Sequence, residues 1–295
     1  MRERRRATPC ILDSALATRI GTALALVAAV LAALFLSGPL GWGIIVLLVV
    51  LGAAHEWAKL AGFARGRWLV FVGGTLVMGV NLLFNPAAGF DAGWPAGVVL
   101  AVCGAATLFW LLAATPWVLA RWQPASPLVL AVSGWIVLMG AFVAIVDLQT
   151  RSPWLVLAAM AVVWIADTAA YFTGRRFGKH KLAREISPGK TWEGVGGAVA
   201  AVVVYAGALA PFASSAGYRG SRGGAALALW IAFAIALVLL SVIGDLYESL
   251  LKRRAGVKDS GALLPGHGGI LDRTDALLAA MPPLSIAALL LLGRP

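Results

Sequence analysis

The chain has few charged residues, few histidines and almost no cysteine. Charged side chains make up 13% of its 295 residues, and only 13 of those residues are Asp or Glu. An average soluble domain carries about 25% charge, so a solvated globular surface is excluded. Cys10 and Cys103 form no C-x-x-C pair, and the three histidines are scattered, which rules out a disulfide framework and a zinc set. No collagen-like or low-complexity period accompanies the 34 glycines and 14 prolines. They lie in or beside apolar runs, where packed transmembrane helices tolerate them. The formal charge of +11 is split among short loops and forms no single basic stripe. Nucleic acid is therefore not an expected partner, and anchoring of loops at a membrane face accounts for the charge.

What the chain does have is apolar length: 61% of its residues are hydrophobic. A helix needs roughly 20 mostly apolar residues to cross the hydrocarbon core. Nine stretches meet that need, at 15–36, 40–61, 67–84, 95–119, 127–148, 153–173, 193–213, 225–247 and 275–293. The basic start Met1 to Arg6 imitates a secretion signal, but the following run exceeds a signal's apolar segment of roughly 7–15 residues and reads as a first uncleaved span. Turn chemistry such as Ser37-Gly38-Pro39 and Asn85-Pro86 separates the spans. With the N-terminus in the cytoplasm, 20 of the 24 Lys and Arg fall on the cytoplasmic side; Arg151, Arg219, Arg222 and Arg294 fall on the other. That bias sets the orientation and puts the C-terminus outside. The expected architecture is all-α and polytopic, with about nine transmembrane helices. The two longest charged loops, 174–192 and 248–274, lie in the second half, so 1–150 reads as a scaffold or dimerising part and 151–295 as the catalytic part.

Asp245, Glu248, Ser249 and Lys252 fall at i, i+3, i+4 and i+7, which puts two acids, a hydroxyl and a cation on one face at the cytoplasmic end of the eighth span. Asp272 and Asp275 stand at i, i+3 where the ninth begins. If the loop between folds back, two to four carboxylates meet at the membrane surface, as a hard cation such as Mg²⁺ requires. An acid as deep as Asp245 is costly in lipid and usually functional. The loop itself carries Lys252-Arg253, Lys258-Asp259 and Pro265-Gly266-His267-Gly268-Gly269. Glycines admit close backbone approach to phosphates and Lys and Arg neutralise them, so an anionic substrate with a metal is the coherent reading. His267 suits a metal ligand, a base or a phosphate contact, and the last is favoured because no second histidine lies near it. A second constellation runs from Asp167 to Gly194. Gly189-Lys190-Thr191 resembles the end of a P-loop, but Arg184 stands where that motif needs its first glycine, so Walker A is rejected. The turn still delivers Lys190 and Thr191 to a helix N-terminus suited to phosphate. By contrast, His55, Glu56 and Lys59 read as interfacial residues ending the second span, and Asp91 and Asp147 lie near the opposite face. Gly194, Gly196 and Gly197 read as a helix-packing surface.

The stretch from Ser249 through Lys252-Arg253, Lys258-Asp259, Gly261, Leu264-Pro265, His267-Gly268-Gly269-Ile270 to Asp272-Arg273-Thr274-Asp275 resembles the signature of the phosphatidate cytidylyltransferases. Ser187-Pro188, Lys190-Thr191 and Glu193-Gly194 resemble that family's second shared motif. Ala276 departs from the serine that many relatives carry. The resemblance implies a polytopic enzyme of phospholipid biosynthesis in the inner (plasma) membrane, its site facing the cytoplasm, that converts CTP and phosphatidic acid to CDP-diacylglycerol and pyrophosphate with Mg²⁺. It implies metal binding by Asp245 and Asp272, with Asp275 as a further candidate. Lys190, Lys252, Arg253, Lys258 and Arg273 would hold the triphosphate or the lipid phosphate. His267, Gly268 and Gly269 would shape the loop, and Asp167 would complete the polar wall. Ser187, Thr191, Glu193, Ser249 and Asp259 join the substrate-binding set, and a homodimer through the N-terminal helices is a family-level expectation. The alternatives are a membrane transferase or CTP-dependent kinase for another long-chain lipid and, from a different class, an ion-coupled transporter. A transporter should show inverted repeats with broken helices at midplane, whereas here the charges gather at one face.

Overall fold

The computed structural model describes residues 25, 27–91, 93–215, 224–263 and 268–292. Its helices are α1 (Val27–Leu36), α2 (Pro39–Leu60), α3 (Arg65–Phe84), α4 (Ala96–Leu119), α5 (Pro127–Arg151), α6 (Pro153–Phe177), α7 (Trp192–Ser215), α8 (Gly224–Arg254) and α9 (Leu271–Leu292). Helices α2 to α9 are each long and apolar enough to cross a membrane, as the hydropathy pattern requires of a polytopic all-α chain. Helix α1 is the described part of the first expected span, whose residues 15–24 and 26 lie outside the described residues.

The helices overrun the apolar runs where charge begins. Helix α8 continues to Arg254, and α9 starts at Leu271, before the expected 275. Hydropathy marks the lipid boundary, whereas backbone hydrogen bonding carries the helix past it. The charged face of Asp245 to Lys252 is therefore wholly helical. The 174–192 loop is also more ordered than its turn residues suggest. Strands β1 (Lys181–Ala183) and β2 (Ser187–Thr191) pair antiparallel, Lys181 opposite Thr191 and Ala183 opposite Ser187, with an irregularity in register between them.

Helices α5 and α9 form the centre. Helix α5 packs against α2, α3, α4, α6 and α9, and α9 packs against α8, α5 and α4. One core runs through Val50, Trp57, Phe142, Leu250 and Met281, joining the first half of the chain to the second. A smaller core of Ala166, Val202 and Val238 joins α6, α7 and α8. Helix α9 contains Pro282 and Pro283. Proline has no N–H, so Pro282 deprives the Leu278 carbonyl of its helical donor. The Trp110 indole N–H supplies it from α4, at 3.0 Å. In lipid an unsatisfied carbonyl is costly, and this bond couples the α4 and α9 backbones.

At the end of the bundle opposite the long charged loops, Asp147 accepts from Arg151 Nε at 3.0 Å and Nη2 at 3.1 Å, and from Ser285 Oγ of α9 at 2.8 Å. The pair is buried, with side-chain exposures of 2% and 5%. It locks α5 to α9 far from the candidate site. Replacing Asp147 by Ala leaves the guanidinium without its carboxylate, which typically costs about 3–5 kcal/mol when the pair is buried. Thermal unfolding in detergent micelles should show a clear drop in midpoint for Asp147→Ala, and an unchanged midpoint would refute this role.

Candidate active site

Gly244 brings α8 and α9 together. A Cβ there would stand 2.5 Å from the Asp275 carbonyl and 3.0 Å from the Ala279 Cβ, so only glycine allows this approach. The contact sets Asp275 beside Asp245 and Glu248. One turn further on, Lys252 Nζ donates to Glu248 Oε2 at 2.9 Å and to Asp272 Oδ1 at 2.7 Å, linking the two helices by one ammonium group. Ser249 Oγ donates to Asp245 Oδ1 at 3.3 Å. The i, i+3, i+4, i+7 face thus converges with the start of α9.

Two carboxylates hold the described residues on either side of the α8–α9 connection. Asp272 Oδ2 accepts from the backbone N–H groups of Ser260 (2.9 Å) and Gly269 (2.8 Å). Gly268 adopts a left-handed φ of 82°, which glycine permits without strain. The second carboxylate is Glu56 of α2, buried at 1% exposure. It accepts from Ile270 N (3.0 Å), Leu271 N (2.9 Å) and Ser260 Oγ (2.9 Å). An anion at the positive end of α9 is favourable. A Cβ on Gly261 would come within 2.5 Å of Glu56 Oε1, and one on Gly269 would collide with Ser260 Oγ and Glu56. These two glycines make room for the protein's own carboxylate. The expectation that Glu56 is merely interfacial is thereby corrected: it ends an apolar span in sequence, yet the fold carries it beneath a segment more than 200 residues away. Its one sequence signal is an acid inside a hydrophobic span, a placement that usually needs partners.

The hairpin closes the third side. Lys190 Nζ of β2 lies 2.6 Å from Asp245 Oδ2, and Asp167 of α6 is near enough to interact with both. Lys190, Asp245 and Asp167 therefore meet from three elements. Other residues of the second motif act within the protein. Thr191 is buried, and its hydroxyl accepts from Gly194 N at 3.2 Å, capping α7. Glu193 holds His180 through ring Nδ1 at 2.6 Å and the backbone N–H at 3.2 Å. Ser187 opens β2. Arg253 Nε donates to the Ile186 carbonyl at 3.2 Å, tying α8 to the hairpin turn. Lys258, Asp259 and Arg273 are exposed on the same face. His267 lies outside the described residues. Gly194 and Gly197 do pack against α6, at the Ala170 carbonyl and the Thr173 side chain.

The cluster holds five carboxyl groups, of Asp167, Asp245, Glu248, Asp272 and Asp275, against two ammonium groups, of Lys190 and Lys252. Among the described residues Glu248 Oε1 is buried with no N–H donor, and its carboxyl lies against that of Asp275. Among the described residues no three acid, histidine or cysteine side chains form a complete metal cage. Mg²⁺ does not need one, since it usually takes one or two carboxylates together with water and substrate phosphates. The acid excess and the orphaned oxygen fit a bound cation. Removing Glu56 should loosen the segment above them. Each bond to a charged acceptor contributes roughly 1.5–3 kcal/mol, so in Glu56→Ala the Ile270 and Leu271 amides should exchange with deuterium about tenfold faster or more. Unchanged protection at both amides would rule out the anchoring role.

Comparison with known proteins identifies relatives of the chain. The sequence profile of the cytidylyltransferase family matches residues 17–291. The phosphatidate cytidylyltransferase of Haemophilus influenzae is 36% identical over 282 residues, covering 90% of this chain and 95% of that protein. The phosphatidate cytidylyltransferase of Pseudomonas aeruginosa is 38% identical over 278 residues, covering 90% and 93%, and that of Brucella suis is 37% identical over 279 residues, covering 90% and 91%. The match spans α2 to α9 and every residue of the polar cluster, and the chain belongs to the cytidylyltransferase family.

Proposed function

We propose that this protein is a phosphatidate cytidylyltransferase, which transfers the cytidylyl group of CTP to phosphatidic acid and yields CDP-diacylglycerol and pyrophosphate. The observation that carries this reading is the convergence of Lys190, Asp245, Glu248, Lys252, Asp272 and Asp275 from β2, α8 and α9 at one end of a membrane bundle. A site at the end of spanning helices is reachable by a soluble nucleotide from one side and by a lipid phosphate from the other. The relatives in Haemophilus influenzae and Pseudomonas aeruginosa, both phosphatidate cytidylyltransferases, support the same reaction.

In this reaction an oxygen of the lipid phosphate attacks the α-phosphorus of CTP. A new P–O bond forms, the α–β anhydride bond breaks, and pyrophosphate leaves with the bonding electron pair. A phosphate monoester is already nucleophilic at neutral pH, so positioning and charge neutralisation are what the protein must supply. Lys190 and Lys252 hold positive charge inside the cluster, and the exposed Lys258 and Arg273 extend it toward solvent. Both ammonium groups rest on carboxylates, within reach of a phosphate that would exchange for those partners. Asp245 and Asp275, together with Asp272 through the Oδ1 that Lys252 now occupies, would hold Mg²⁺. That ion supplies electrostatic stabilisation of the charge on the transferring phosphoryl group. Asp272 has a second duty through Oδ2, so its loss also frees the Ser260 and Gly269 amides.

The same proposal includes the cytoplasmic face of the bacterial inner membrane as the location of the site, because the segments assigned to that side carry 20 of the 24 Lys and Arg. It includes a homodimer built on the N-terminal helices, and 1–150 and 151–295 as its scaffold and catalytic parts.

Membranes bearing the wild-type protein should convert labelled CTP and phosphatidic acid to CDP-diacylglycerol only with a divalent metal, and EDTA should abolish conversion. Asp245→Asn and Asp272→Asn should each lower the rate by at least about 100-fold, in line with loss of electrostatic preorganisation. Robust turnover in both variants would sink the residue assignment; absence of turnover in the wild type over several acyl compositions would sink the reaction. A reporter fused to the C-terminus should be active only on the outer side, and a cytoplasmic signal would mean the span count is off by an odd number.

A further inference from the structure

Arg121, the residue after the last turn of α4, has a φ of 55°. Its N–H bonds to the Val118 carbonyl and that of Trp122 to the Trp117 carbonyl, a helix-ending turn that usually takes glycine. Arginine sits there with more strain than glycine would, so its side chain is the feature to explain. Arg121 Nη1 lies 2.6 Å from Glu185 Oε1 at the tip of the β1–β2 hairpin. With side-chain exposures of 56% and 68%, this pair adds little stability. Its consequence is placement: it joins α4 to the hairpin and closes one side of a basin.

The basin has a volume of about 550 Å³ and is lined by Arg121, Lys179, His180, Lys181, Arg184 and Trp192. Among the described residues no carboxylate lines it, and the two that pair with its lining residues, Glu185 with Arg121 and Glu193 with His180, are thereby engaged. Lys179, Lys181 and Arg184 are exposed and enter no ion pair among the described residues. A concave site with three uncompensated cations selects an anion. The rim decides which kind. Trp192 is 59% exposed at the start of α7 and Phe177 is 60% exposed at the end of α6. Aromatic rings at the ends of spanning helices sit at headgroup depth, so the neighbours of this basin are glycerol and acyl groups. The basin is separate from the reaction centre, because Lys190 directs its ammonium group to Asp245 and none of the five clustered acids lines it.

We propose that this basin holds the phosphate headgroup of an anionic bilayer phospholipid, which docks there without being transformed. The docked lipid pins the hairpin to the membrane surface. Because β2 carries Lys190, the same lipid steadies the contact between Lys190 and Asp245.

The test is lipid retention by native mass spectrometry of the full chain in detergent micelles doped with dioleoyl phosphatidylglycerol or with neutral dioleoyl phosphatidylcholine. The Lys179→Gln/Lys181→Gln/Arg184→Gln variant should lose a phosphatidylglycerol that the wild type keeps. At about 1 kcal/mol per basic residue, its affinity for that lipid should fall by roughly two orders of magnitude. Phosphatidylcholine retention should not change. The charge-preserving Lys179→Arg/Lys181→Arg/Arg184→Lys variant should keep the lipid. So should Lys59→Gln/Arg65→Gln/Arg67→Gln, which loses the same charge from exposed positions outside the basin. Equal retention in the first variant and the wild type would overturn the proposal, as would an equal loss in the Lys59/Arg65/Arg67 control. Displacement of the lipid by millimolar CTP or inorganic phosphate would assign the basin to a soluble phosphate instead.

Discussion

The Glu56 carboxylate lies at the N-terminus of α9, where the Ile270 and Leu271 N–H groups and the Ser260 hydroxyl converge on it. Helix N-termini leave N–H groups without intrahelical acceptors, and at the edge of a bilayer those groups are expensive to leave bare. Glu56 satisfies two of them from a helix in the first half of the chain. The position of α9 then fixes Asp272 and Asp275, and Gly261 and Gly269 of the connecting segment are explained by the space this carboxylate occupies. A phosphate-binding role for the start of α9 is therefore not needed to account for its glycines, because the protein supplies its own anion there.

Around this anchor, the polar cluster is built with too few cations for its acids. Lys252 bridges Glu248 to Asp272, Lys190 reaches Asp245, and Glu248 Oε1 has no N–H donor among the described residues. Such an arrangement is poor as a static network, since a partly satisfied buried group carries a desolvation penalty. It is well suited to a site whose excess of acid is offset by a bound cation. The close approach of α8 and α9 at Gly244 makes this imbalance possible by forcing the acids of two helices onto one another.

Much of this was legible in the amino-acid order. Apolar runs matched α2 to α9 within a few residues, because lipid imposes a length and a composition on every span. The acid and lysine face of α8 follows from the helical period, and α8 remains helical through Lys252. Harder to see was what each polar residue of a motif does. Thr191 and Glu193 lie in a stretch that resembles a substrate-binding motif, yet the first caps α7 and the second holds His180. Arg253 reads as a phosphate ligand, and its Nε donates to the Ile186 carbonyl, a contact no local spacing announces. Local spacing identifies the chemistry a residue can perform, but not which of several nearby partners it meets.

The sequence by itself determined that this is a polytopic helical membrane protein, that its charge collects on two loops of its second half, and that its motifs are those of a cytidylyltransferase. The first two follow from hydropathy and charge placement and the third from resemblance to a family's motifs, all of them local along the chain. Only the tertiary structure decided that Glu56 belongs under the α8–α9 segment, that Trp110 repairs the carbonyl exposed by Pro282, and that Arg121 meets the hairpin tip. Each of these joins residues 64 or more positions apart. Their pairing is set by how helices pack and by which backbone groups are left without partners, and neither is encoded in any short window of sequence.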